Sequence, residues 1–149
     1  MQINKFNLAV LILIALPVIC FGQDDVIKEP GIPSNFVSLK MGIDDPWLGI
    51  AYERLLNQNI GAEAQIGLIG ASLGAKLYIP AMKNGRMNFY VGVMPAWGFM
   101  GGLKTYFPIG INMLTKKNLR FSLDAGPRIW HAAGEENFLG LSLKIGKGF

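Results

Sequence analysis

From residue 37 onward, large apolar side chains recur at every second position along eight successive runs. Val37, Leu39, Met41 and Ile43 alternate with Ser38, Lys40 and Gly42, and Leu48, Ile50 and Tyr52 alternate with Gly49, Ala51 and Glu53. Ala62, Ala64, Ile66 and Leu68 follow against Gly61, Glu63, Gln65 and Gly67, then Leu73, Ala75, Leu77 and Ile79 against Ser72, Gly74, Lys76 and Tyr78. The second half carries longer runs: Phe89 to Phe99, Leu103 to Met113, Leu119 to Ile129, and Leu139 to Phe149. A period of two is the signature of a strand with two unlike faces. Turn-forming clusters separate the runs, at Asp44-Asp45-Pro46, Asn57-Gln58-Asn59, Ile69-Gly70, Asn84-Gly85, Gly101-Gly102, Lys116-Lys117-Asn118 and Gly134-Glu135-Glu136-Asn137. Eight short antiparallel strands with no helical-period stretch between them predict an up-and-down barrel, which closes and leaves no exposed edge.

The composition of the minor face decides which way such a barrel is turned. A soluble barrel points its apolar face inward and covers its exterior with Lys, Glu, Asp, Thr and Gln. Here the minor face is mostly Gly, Ser and Ala with one or two charges per strand, and only 16 % of the chain is charged, against ~25 % in ordinary soluble domains. Of the 19 glycines, 18 lie after residue 22. Small residues suit a narrow, crowded interior. The expected fold is therefore all-β, an eight-stranded antiparallel up-and-down transmembrane β-barrel with its apolar face toward lipid. A soluble, secreted, lipocalin-like binder of apolar ligands is the inside-out alternative.

The first 22 residues differ from the rest, with 16 of them apolar. Lys5, the apolar stretch from Leu8 to Leu16, the helix-breaking Pro17 and the small Gly22 form a secretory signal peptide, too short for a stable anchor. Cys20 follows Ile19, where a lipoprotein signal carries a small residue. The expected organisation is a signal peptide at 1–22, a polar and flexible periplasmic lead-in at 23–34, and one barrel domain at 35–149. Cleavage after Gly22 removes the single cysteine, so neither disulfide nor thiol chemistry is expected. Removal of Lys5 lowers the formal charge from +4 to +3, too mild to suggest a nucleic-acid partner.

Charges on the inner face must be paired. Hairpin register places Glu53 opposite Glu63 and, across a turn at Ile69-Gly70, Glu63 opposite Lys76. Lys40 reaches diagonally toward Glu53, while Asp124 and Arg128 share a face with Lys144 diagonal to both. These seven residues form the expected lumen network. Eight strands leave a lumen just wide enough for its own side chains, so no open pore is expected. Glu53 and Glu63 could serve as a carboxylate pair for glycosidic chemistry only if a cleft exposed them. His131, the only histidine, is nine residues from Ser122, too far along one strand for a nucleophile and its base. No phosphate loop, cofactor motif or metal-ligand spacing is found, so no catalytic residue, cofactor or metal is assigned.

The signal peptide, the eight alternating runs, the Gly-Ile-Ala-Tyr-Glu run at 49–53 and the in-phase Phe149 resemble the small bacterial outer-membrane β-barrel proteins over residues 35–149. The resemblance implies an outer-membrane location and a terminal aromatic signal at Phe149 read by the barrel-assembly machinery. It also implies both termini in the periplasm and a monomer contacting outer-membrane lipid and lipopolysaccharide. Its topology puts Asp44, Asp45, Glu135 and Glu136 on the outer loops, where they could bind the divalent cations that bridge lipopolysaccharide. It puts Lys83, Arg86, Lys116 and Lys117 on periplasmic turns facing anionic phospholipid, and Trp47, Trp97 and Trp130 at the outer rim as an aromatic girdle. The short loops depart from relatives with adhesive or receptor roles. Pro95, Pro108 and Pro127 sit inside three successive strands, where a bulge in each is the expected accommodation. A weakly bonded seam admitting a lipid tail is the alternative, as in barrel enzymes that modify outer-membrane lipid. The expected role is structural or envelope-associated and not enzymatic.

Overall fold

The computed structural model describes residues 31–43, 46–98, 102–131 and 138–149. Nine strand segments follow one another: β1 (Asn35–Gly42), β2 (Leu48–Leu55), β3 (Ile60–Gly67), β4 (Gly70–Ile79), β5 (Met87–Gly98), β6 (Gly102–Tyr106), β7 (Ile109–Leu114), β8 (Leu119–Trp130) and β9 (Phe138–Gly148). β6 and β7 are collinear halves of one stave, since both pair with β5 on one side and β8 on the other in a single continuous register. Each stave pairs antiparallel with the next, and β9 returns to pair with β1. The result is a closed eight-stranded antiparallel barrel, as the eight alternating runs predict.

The stagger of this barrel can be read from its pairings. Phe36 lies opposite Glu53, Glu53 opposite Glu63, and Glu63 opposite Gly74. The register of β4 and β5 carries that line to Met94, and it continues through Tyr106 and Arg128 to Phe138. Phe36 itself pairs with Gly148, ten residues beyond Phe138. With ~3.3 Å per residue and ~4.8 Å between strands, this stagger tilts eight staves by about 40° and gives a radius of about 8 Å. A barrel that narrow is filled by side chains.

Burial alternates along every strand. Ser38, Lys40, Glu53, Glu63, Lys76, Arg120, Asp124 and Lys144 are buried, whereas Leu39, Phe89 and Ile109 are 67 %, 60 % and 65 % exposed. Charge is inside and apolar bulk is outside, the reverse of a soluble domain.

Two expectations about local geometry are corrected. The β3–β4 turn consists of residues 68 and 69, because Gly70 pairs with Gly67 instead of occupying the turn. Glu63 therefore lies opposite Gly74, and Lys76 opposite Gly61. A two-residue slip leaves every side chain on its own face, so alternation cannot detect it. Nor do the three prolines make bulges, since each described strand pair keeps one register throughout. Pro108 accepts from Gly92 N at 2.9 Å and Pro127 from Phe107 N at 3.0 Å, so both stay in the ladder as acceptors.

At the end of the barrel where residues 34–35 and Phe149 lie, Ile32, Phe36, Leu55, Tyr78, Met82, Tyr90 and Leu114 form one buried cluster. Ile32 and Pro33 are buried, Ser34 O accepts from Leu55 N at 2.8 Å, and Gly31 O accepts from Asn84 Nδ2. Residues 31–34 thus stopper this end, contrary to a uniformly flexible lead-in. Ile32-Pro33 is the apolar pair hidden in that polar stretch. Residues 23–30 lie outside the described residues.

Candidate functional site

The lumen holds three buried carboxylates and three buried cations at mid-height. Glu53 Oε2 accepts from Lys76 Nζ at 2.8 Å and from Arg120 Nη2 at 2.9 Å, and Glu53 Oε1 accepts from Tyr78 OH. Glu63 accepts from Lys144 Nζ at 2.9 Å, from Lys76 Nζ and from Gln65 Nε2. Asp124 accepts from Tyr106 OH at 2.7 Å and from Tyr90 OH, and pairs with Lys144 at 3.3 Å. Arg120 also donates to Asn112 Oδ1 and to Tyr78 OH, both at 2.6 Å, and its guanidinium lies 4.8 Å from the Phe36 ring. Charge is balanced within this cluster, and each carboxylate is held from at least two strands.

The strands position these groups simply. Each lies on an inward position of β2, β3, β4, β8 or β9, and the ten-residue stagger brings remote strands to one level. Arg120 of β8 thereby reaches Glu53 of β2 across the lumen. Among the residues expected in the network, the structure brings together Glu53, Glu63, Lys76, Asp124 and Lys144. Lys40 is fully buried and donates to Pro46 O at 2.9 Å, not toward Glu53. Arg128 is half-buried and donates to Ile43 O at 2.9 Å. Both tie down the backbone beside the β1–β2 connection at the opposite end of the barrel.

Sequence reasoning missed Arg120 and the three tyrosines Tyr78, Tyr90 and Tyr106 as network members. The signal for Arg120 was its phase, since it shares a face with Ser122 and Asp124. Tyrosine gives a weaker signal: Tyr78 already shares a face with Lys76, but phase does not show which buried partner its hydroxyl takes.

The arrangement can brace the barrel but offers no chemistry at its carboxylates. Glu53 and Glu63 lie directly opposite each other, each 1 % exposed and held by cations. Ser122 is buried and bonded to Tyr90 OH at 3.0 Å, while His131 sits exposed at the rim, bonded to Thr105 Oγ1 at 2.8 Å. Among the described residues, no group of three His, Cys, Asp or Glu side chains is placed to hold a metal. The expected outer acids Asp44, Asp45, Glu135 and Glu136 lie outside the described residues. Phe149 is exposed on the apolar side, and its backbone N donates to Asn35 O at 2.9 Å.

The rims differ. Trp47 and Trp97 are exposed, but Trp130 turns to the inner face, where Lys104 Nζ lies 3.8 Å from its ring. Of the three tryptophans expected at the outer rim, Trp130 is the one that departs, since it shares the inward phase of Arg128 and Gly126. At the stoppered end the charged residues are Arg54, Lys83, Arg86, Lys116, Lys117 and Lys147, with no acid among the described residues there.

No protein-family model, no curated protein and no solved structure matches this chain.

Proposed function

We propose that the chain is an integral outer-membrane β-barrel protein with a side-chain-filled lumen and a structural or envelope-associated role. The observation that carries this reading is the inverted burial: the ion cluster is inside, and exposed apolar side chains form a belt around all eight staves. Along β8 the outward positions are apolar from Leu119 to Ile129. At ~2.5 Å of axial rise per tilted residue they cover ~25 Å, the height of the apolar band of an outer-membrane barrel. The braced lumen supports a closed barrel over a channel. It also weighs against a soluble carrier of apolar ligands, whose interior would be an apolar cavity.

The terminal segment at 1–22 supplies the export signal in this reading, and Phe149 supplies the assembly signal. The test is electrophoresis of the mature chain refolded into phosphatidylcholine vesicles. The expected result is a band that migrates as a compact species without boiling and shifts on boiling. A mature chain that is a freely soluble monomer without detergent or lipid would overturn the proposal.

A further inference from the structure

We infer that Asn84-Gly85 is a self-modification site guarded by folding: an unfolded chain loses ammonia at Asn84, and the carboxylate left behind cannot latch the 31–34 stopper. The inference rests on the fold and not on what surrounds the belt. Gly85 N attacks Asn84 Cγ, the Cγ–Nδ2 bond breaks, and Nδ2 leaves as ammonia with the Gly85 amide proton. Water then opens the cyclic imide at either carbonyl, leaving aspartate or isoaspartate at position 84. Asn84 is the one asparagine in the chain that precedes glycine. Every other asparagine is followed by a residue whose side chain crowds the attacking nitrogen. The turn itself demands the vulnerable pair, because Gly85 adopts a φ of +73°, which favours glycine.

The folded chain occupies both reacting groups. Gly85 N donates to Leu114 O at 2.7 Å, and Asn84 Nδ2 donates to Gly31 O. The attacking nitrogen is thus held by the end of β7, and the leaving group by the stopper. Both bonds exist only once the β4–β5 connection, β7 and residues 31–34 have met. Conversion has a directed effect on that meeting. A carboxylate has no proton to donate, so at position 84 it would face Gly31 O as acceptor against acceptor. Asn84 Oδ1 is buried and has no hydrogen-bond partner among the described residues, so a charge placed there is costly. Outside the turn lie the exposed Arg86 and Lys116, the latter with its Cγ 3.8 Å from where a Cβ on Gly85 would stand. They draw a carboxylate outward, away from Gly31. Isoaspartate also adds a carbon to the backbone of the turn and displaces Gly85 N from Leu114 O.

The test incubates the full mature chain in mildly alkaline buffer, once in urea and once refolded, and reads conversion at residue 84 by peptide mass spectrometry. The expected result in urea is conversion at Asn84 ahead of every other asparagine. In the refolded chain it should be at least about tenfold slower, since reaction then waits on local opening. Hydrogen exchange at Leu55 N, which donates to Ser34 O at 2.8 Å, reports whether the stopper is seated. Asn84→Asp should exchange there at least about fivefold faster than the unaltered chain, and a chain deamidated in urea and then refolded should match it. If Asn84→Asp does not refold, Asn84→Ala, which removes the donor without adding charge, takes its place. Equal conversion in the two states would overturn the inference, as would earlier conversion at another asparagine. Unchanged exchange at Leu55 in a folded Asn84 variant would show that the amide is no latch, and would overturn it too.

Discussion

Arg120 shows how a single side chain commits two distant walls to each other. Its guanidinium is buried and bonded to Glu53, Tyr78 and Asn112. Removing one member of a buried ion cluster leaves the rest uncompensated, which costs about 3–5 kcal/mol. Arg120→Met should therefore lower stability by about that amount, as measured by urea unfolding from vesicles. The double variant Arg120→Met/Glu53→Gln should recover part of the loss, because the excess negative charge then disappears. The faces of these residues were legible from phase alone. Their partners were not, because contact between Glu53 and Arg120 depends on the stagger of the closed barrel. Stagger is a sum over all eight pairings, and no local pattern records it.

Strand elements were legible to within a residue or two, and the two misreadings have separate physical origins. Alternation fixes which way a residue faces but is blind to even slips, so the β3–β4 hairpin reads two residues out. Gly67 pairs with Gly70 across that turn and on its other side is pressed against β2, where a Cβ would lie 2.1 Å from Leu48 O. The prolines were misread because their cost was assigned to geometry. The staves keep register, and each proline forgoes a donor instead. Gly92 N donating to Pro108 O means that alternate β5 residues turn toward the β6–β7 stave, so Pro95 turns toward β4 and leaves Leu73 O without a donor from β5. Close approach is sharpest at Gly126, where a Cβ would lie 1.9 Å from Phe107 O. Neither atom can swing aside, since the contact is with backbone. Gly126→Ala should destabilise the barrel by about 1–3 kcal/mol, and the same urea titration checks it. An unchanged midpoint would mean that the β6–β7 stave can yield at its Phe107–Pro108 interruption.

For the whole molecule, the belt is uneven. β1, β2 and β3 have 8 residues each, whereas β5 and β8 have 12. The shorter staves span ~20 Å along the axis at the tilt deduced from the stagger. A barrel with one short side matches thin bilayers better than thick ones. Folding yield should be higher in twelve-carbon than in eighteen-carbon phosphatidylcholine vesicles, read by the fraction of compact band before boiling. Equal yields would argue against a lipid-facing belt of this height.

The pairing of β1 with β9 also governs when the molecule can exist. These staves come from opposite ends of the folded region, and no other pair completes the ring. Until β9 is made, a nascent chain therefore carries an unsatisfied edge on β1 and an apolar face with nothing to cover it. Such a chain is a template for pairing with any neighbour. Synthesis and maturation are thereby coupled: a stalled or prematurely ended chain is not a smaller barrel but a sticky ribbon, and a cell making this protein must escort each copy until its last strand arrives.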